Sequence, residues 1–267
     1  MCRHHLREKG SLVIHETAII DSSAKLGANV SVGPWTFIGP DVEIGDDCDI
    51  RSHVVIKGPT KIGARNTIYQ FASVGEDCQD KKYAGEPTQL VIGDDNVIRE
   101  SVTIHRGTVQ DEGITRIGDR NLFMAYVHVA HDCIIGNDNI FANLVTLAGH
   151  VHVGDQVILG GLTGVHQFCH IGSHAFAAVN SIVVQDIPPF IMAQGHNARP
   201  RTINSEGLKR RQFSEHEIRN IRRAYKLLYR SSLTVDEALE QISALEEPKL
   251  DEFIEFVKRS QRGIIRP

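Results

Sequence analysis

A side chain that is nearly always aliphatic returns every six residues through most of this 267-residue chain. It falls at Ile14, Ile20, Leu26, Val32, Ile38, Ile44, Ile50, Ile56, Ile62, Ile68 and Val74. Twelve residues, "DKKYAGEPTQLV", then intervene, and the rhythm resumes in phase at Ile92, Ile98 and Ile104. A second interruption, Gln110 to Arg116, shifts the phase by one, and the series runs on from Ile117 and Phe123 to Val183. These 26 hexads match neither an α-helix nor a plain strand, whose side chains repeat at about 3.6 and 2 residues. Short strands joined by a turn every six residues do match, three strands and so three hexads closing one triangular coil. The expected fold is all-β: a left-handed parallel β-helix, a hexapeptide-repeat triangular prism of about nine coils.

The fifth position of each hexad agrees, holding small residues such as Ala18, Ala24, Val30, Thr36, Ala72, Thr163 and Ser181. Cys48, Cys78, Cys133 and Cys169 share that position and read as packed interior thiols, with Cys2 outside the repeat. Five cysteines and no CxxC argue against a disulfide framework and against a zinc ribbon. After "QDIPPF" the period stops, since proline cannot donate to a ladder. Ser214 with Glu217, and Thr234 with Glu237, are capping boxes, and Leu250 to Arg262 is amphipathic. The sequence thus divides into an extension over 1–13, a β-helix over 14–190 with loops at 80–91 and 110–116, and a small C-terminal α-helical domain over 191–267.

No apolar run approaches the roughly 18 residues of a membrane span, and "MCRHHLREKGSLVIH" lacks the apolar core of a signal peptide. A cytoplasmic protein without stable membrane insertion is expected. The charge is unevenly spread: residues 1–196 carry 14 Lys/Arg against 22 Asp/Glu, and residues 197–267 carry 15 against 11. A basic end on an acidic body points to an anionic ligand or partner near the C-terminal segment; no nucleic-acid partner is expected.

Seven of the fourteen histidines lie between His128 and His174. Residues three hexads apart stack in neighbouring coils, so Gly149 falls over His131, His150 over Asp132, Gln167 over Gly149 and His166 over Ala148. The stretch "HVAHDC", residues 128–133, therefore sits in a histidine-rich edge. A zinc site there would need converging neutral imidazoles and an open position. A general base would need one imidazole with a carboxylate fixing its tautomer, which Asp132 beside His131 offers, and a close backbone N–H such as that of Gly149. Structural histidines are the third reading; His152, His170 and His174 fit it as surface residues.

The segments "YQFASVGE", "YAGEPT", "IRESVTIHRGT", "HVAHDC", "LAGHV", "GVHQF", "AQGHNARP" and "EGLKRR" resemble, in order, the acyl-[acyl-carrier-protein]–UDP-N-acetylglucosamine O-acyltransferases of lipid A biosynthesis. The resemblance implies a homotrimer with sites between adjacent prisms, no metal and no cofactor. It implies transfer of an (R)-3-hydroxyacyl group from acyl carrier protein to the 3-hydroxyl of UDP-N-acetylglucosamine. It makes His131 the base, Asp132 its orienting carboxylate and the Gly149 N–H the oxyanion donor. It places Gln79, Asp80, Lys82, His128, His150, His166 and Gln167 against substrate, and Asn204, Glu206, Arg210 and Arg211 near the nucleotide. Val179 matches the position that closes the acyl groove. "GHNA" at 195–198 departs from the family order of histidine and asparagine, so His196 and Asn197 are not assigned. Alternatives at this level are a metal-dependent hydratase of the hexapeptide-repeat class and an enzyme acylating the 3-amino sugar nucleotide.

Overall fold

The computed structural model describes residues 13–267. The expectations for Cys2 and for the extension before residue 13 lie outside the described residues. The chain forms two compact units, Met1–Asp132 and Cys133–Pro267.

In the first unit, strands mostly of two residues recur every six positions and stack in parallel on strands of other coils. One stack runs Val13–Ile14, Ser31–Val32, Asp49–Ile50, Thr67–Ile68, Val97–Ile98 and Leu122–Phe123. A second runs Ile19–Ile20, Phe37–Ile38, Val55–Ile56, Ser73–Glu76, Thr103–His105 and His128–Val129. A third runs Lys25–Leu26, Val42–Ile44, Thr60–Ile62, Gln89–Ile92 and Ile114–Ile117. The numbers of paired residues differ by 18 at first (Val13↔Ser31), then by 30 (Thr67↔Val97), then by 25 (Val97↔Leu122). Both enlarged steps leave the second stack and return on the third, so two loops emerge from one edge.

The hexad explains the coil. Its aliphatic residue points inward; Ile38, Ile56, Ile68, Ile98 and Ile104 are fully buried, each worth about 1.5–3 kcal/mol. The residue after it is often glycine because coils approach closely there. A Cβ on Gly33 would lie 2.7 Å from the Ser52 nitrogen. Two residues later the chain turns through positive φ, as at Trp35 (60°), Asp47 (59°), Phe71 (65°) and Asp132 (58°). Cys48 and Cys78 are buried as the fifth-position reading required. Inside, Asn96 donates its backbone N–H and Nδ2 to Asn66 Oδ1 at 2.9 and 3.1 Å, and Asn121 does the same to Asn96 at 2.9 and 3.0 Å. Polar groups that the coil buries are thereby paired.

The second unit opens with coils of the same kind, three hexads to the turn: Ile134↔His152↔His170, Ile140↔Ile158↔Phe176 and Thr146↔Gly164↔Ile182. Cys133 and Cys169 are buried within them. These coils and those of the first unit are left-handed parallel β-helix. Pro189 then packs so close to Gly172 that a Cβ there would lie 2.4 Å from the proline ring. Residues placed in the helical part by their sequence first form two strands: Ile191–Gln194, parallel to Phe176–Ala177, and Arg199–Ile203, antiparallel to Ile191–Gln194. Hydrogen bonding onto the last coil keeps them extended where no helical period competes.

Helices α1 (Ser205–Arg210), α2 (Glu215–Tyr229), α3 (Val235–Ser243) and α4 (Lys249–Arg259) follow. Both capping boxes form, Ser214–Glu217 on α2 and Thr234–Glu237 on α3. The amphipathic run expected to reach Arg262 ends as helix at Arg259, because Ser260 turns to donate to the buried Asp186 carboxylate at 2.6 Å. Ile265 N–H then donates to the Asp186 carbonyl at 2.9 Å. Among the described residues no helix is long and apolar enough to cross a membrane.

Candidate active site

In the first unit His131 and Asp132 lie at the edge from which both loops emerge. His131 Nδ1 is 2.8 Å from Asp132 Oδ2, with the histidine side chain 15% exposed and the carboxylate 1%. A carboxylate can only accept, so Nδ1 carries the hydrogen, which leaves Nε2 as the nitrogen that can take up a proton. The carboxylate is itself held: Thr108 N–H donates to Oδ1 at 2.8 Å and Thr108 Oγ1 to Oδ2 at 2.6 Å. Asp132 N–H donates to Thr115 Oγ1 at 2.8 Å.

His128 accompanies them from the second stack. Its Nδ1 is 2.7 Å from Thr103 Oγ1, and its ring meets His105 edge-on at 5.3 Å. Burial, reinforced by His105 and His131, pushes the His128 pKa down to about 4. His105 donates from Nδ1 to the Asp77 carbonyl at 2.7 Å, and burial lowers its pKa as well. Its Nε2 is 3.5 Å from Gln79 Nε2, so the loop of residues 77–88 reaches this edge. Asp80 and Lys82 are exposed on that loop, where Asp80 Oδ1 accepts from Lys82 N–H at 2.9 Å.

Sequence reasoning passed over His105, Arg106 and Thr108. Their signal was the quoted "IHRGT", and finding it needed the enlarged steps, Ser73↔Thr103 and Thr103↔His128, in place of the regular one.

In the second unit His150 turns through positive φ (59°) and stacks on Phe168 at 4.5 Å and 13°. The Gly149 carbonyl accepts from Phe168 N–H at 3.1 Å, which leaves Gln167 beside it in the regular register of the coils. Exposed His166 has Nδ1 2.9 Å from Arg262 Nη2 and 3.1 Å from the Gln167 carbonyl. Guanidinium always donates, so Nδ1 accepts from Arg262 and the hydrogen sits on Nε2. The half-buried rings of His152 and His170 meet at 4.4 Å, tilted by 49°, and burial lowers the His170 pKa. His174 is not a surface residue. It lies between Phe190 (5.6 Å) and Phe213 (5.0 Å), and burial, with Arg211 and Lys249 nearby, pushes its pKa down to about 4.

Asn204, Glu206, Arg210 and Arg211 come together at a cleft of about 550 Å³ whose floor includes Ile158 and Phe176. Asn204 caps α1, accepting from Gly207 N–H at 3.2 Å while its Nδ2 donates to the His174 carbonyl at 2.9 Å. Glu206 pairs with Lys209 at 3.0 Å, a contact that lowers its pKa. Two arginines over an apolar floor suit an anionic ligand with a flat apolar part. Val179 is 63% exposed, so packing against its own neighbouring coil does not account for it.

Comparison with known proteins agrees with this architecture. A model of UDP N-acetylglucosamine O-acyltransferase domain 2 matches residues 186–265, and one of the bacterial transferase hexapeptide, six repeats, matches 114–149. A GMPPB C-terminal domain model matches 9–113. LpxA from Acinetobacter baumannii is 49% identical with a TM-score of 0.93, over 95% of this chain and 100% of that one. The UDP-N-acetylglucosamine acyltransferase of Francisella novicida is 44% identical with a TM-score of 0.93, over 96% and 94%. The Arabidopsis UDP-N-acetylglucosamine acyltransferase is 36% identical with a TM-score of 0.82, over 95% and 100%. With near-complete overlap at such identity, the chain belongs to the UDP-N-acetylglucosamine O-acyltransferase family of hexapeptide-repeat enzymes.

Proposed function

We propose that this enzyme moves an (R)-3-hydroxyacyl group from acyl carrier protein to the 3-hydroxyl of UDP-N-acetylglucosamine, the first step of lipid A biosynthesis. The observation that carries the reading is the His131–Asp132 pair with its buried, clamped carboxylate. His131 Nε2 takes the proton of the sugar hydroxyl while Asp132 holds the ring and stabilises the imidazolium. The sugar oxygen then attacks the thioester carbonyl. By family resemblance the Gly149 N–H receives the resulting oxyanion. Collapse expels the carrier thiol, which recovers the proton from His131.

His128, neutral above pH values near its lowered pKa, offers a hydrogen bond without competing as base. By the same resemblance His150, His166, Gln167, Gln79, Asp80 and Lys82 contact substrate, Asn204, Glu206, Arg210 and Arg211 contact the nucleotide, and Val179 limits the acyl groove. The subunits work as a homotrimer. The Asp132 carboxylate already accepts from Thr108 N–H, Thr108 Oγ1 and His131, which favours orienting a base over ligating a metal.

Mass spectrometry of products from mixed acyl-carrier donors with each sugar nucleotide tests the reading. Ester formation on UDP-N-acetylglucosamine is expected. Acylation of the 3-amino analogue alone, or no transfer, would overturn it.

A further inference from the structure

Arg106 carries a full positive charge on a side chain that is only 7% exposed. A guanidinium withdrawn from water needs acceptors for its N–H groups. The acceptors it meets come from one short stretch, residues 75–83. Nη1 donates to the Gly75 carbonyl at 2.5 Å, and Nη2 to the Asp77 carboxylate and to the Tyr83 hydroxyl at 3.1 Å. The backbone repeats the pattern. Arg106 N–H donates to the Glu76 carbonyl at 3.1 Å and Gly107 N–H to the Gln89 carbonyl at 3.2 Å, so consecutive residues tie down both ends of the loop 77–88.

Within the loop the constraint is passed along. Tyr83 hands its hydroxyl hydrogen to the Glu86 carbonyl at 3.2 Å. Tyr83 N–H donates to the Asp80 carbonyl at 3.0 Å, and Asp80 Oδ1 accepts from Lys82 N–H at 2.9 Å. Lys82 therefore sits in a tight turn whose far end is fastened to Arg106. A lysine at 106 would keep the charge but not the planar fork that reaches several acceptors at once.

We propose that Arg106 is a positioning residue: it sets the loop that presents Gln79, Asp80 and Lys82, and through it the affinity for the substrate they contact. This rests on the proposed role of that loop. Arg106 itself need not touch substrate, because it acts through Asp77 and Tyr83.

Four variants of the full-length chain test this: Arg106→Gln, Arg106→Lys, Tyr83→Phe and Lys82→Ala. kcat and KM are measured for both substrates, with the rate of tryptic cleavage after Lys81 and Lys82. Arg106→Gln should raise, by about tenfold, the same KM that Lys82→Ala raises, with kcat changed less than about threefold. Arg106→Lys should fall between it and the parent, and Tyr83→Phe should raise that KM by about threefold. Cleavage in the loop should quicken in both Arg106 variants, and adding Lys82→Ala to Arg106→Gln should cost little more. Should Arg106→Gln fail to fold, Tyr83→Phe, which keeps the ring, decides the matter. Unchanged KM and cleavage in the folded variants, with Lys82→Ala raising KM, would overturn the inference alone. Lys82→Ala without effect on either KM would remove the loop's substrate role and the inference together.

Discussion

The ring of His131 meets the carboxylate of Asp132 at 2.8 Å although the two are neighbours in sequence. Adjacent side chains in a strand point to opposite faces; the positive φ of Asp132, 58°, brings these two to the same side. If His131 is the base, His131→Ala should lower kcat by about 10²–10⁴-fold with assembly intact. A folded variant with near-parental turnover would rule out the role.

Thr108 Oγ1 binds the same Asp132 oxygen that holds His131. Thr108→Val keeps the shape and deletes that bond, so the carboxylate should orient the ring less well. A fall of about tenfold in kcat with little change in KM is expected, and Thr108→Ser should restore most of it. Equal loss in Thr108→Ser and Thr108→Val would separate the hydroxyl from the effect.

His174 has a pKa pushed down to about 4 by burial, with the charges of Arg211 and Lys249 adding to it, against about 6.5 in an unfolded chain. Between those values the unfolded state binds the extra proton, so stability falls as pH drops through that window. His128, also lowered to about 4, adds to the same acid sensitivity. His174→Asn, which tolerates the positive φ of 61°, should lose less Tm than the parent between pH 7 and pH 5. Parallel losses would show that His174 is not linked to the transition.

Arg210 and Arg211 border the cleft under α1. Replacing both by glutamine should raise the KM for the sugar nucleotide, with the difference from the parent shrinking as salt is added. Identical kinetics at low ionic strength would leave them as surface charge.

Val179 presents an exposed side chain from backbone that passes close to Gly160, and a glycine in its place would leave more room. A chain shorter by two methylenes should be preferred over that of a glycine-bearing relative, since each methylene denied burial loses ~0.8 kcal/mol, roughly tenfold for two. Val179→Gly should move the preference toward longer donors across a ladder of acyl lengths. An unchanged ranking would refute the assignment.

The coils were legible because one residue type marks each of them; Ile14 to Val74 fixed register, interior and corner together. The capping boxes at Ser214 and Thr234 were legible for the same reason, being local. His131 and Asp132 could be paired from adjacency alone. Arg106 and Thr108 could not, because their partners Gly75, Asp77 and Asp132 lie at distances that the two loops alter. His174 escaped as well: its cover, Phe213, comes from a segment with no periodic relation to the coils.

The lengthened step from Thr67 to Val97, against the regular one from Val13 to Ser31, bears on how such a loop can exist at all. Closing a link of that greater length costs only about 0.5 kcal/mol more in chain entropy, since the cost grows with the logarithm of length. An edge of a coil stack is therefore a cheap place for a chain to acquire or lengthen a loop. A fold whose register is renewed at every turn can change what it presents at its rim while leaving the next coil where it was.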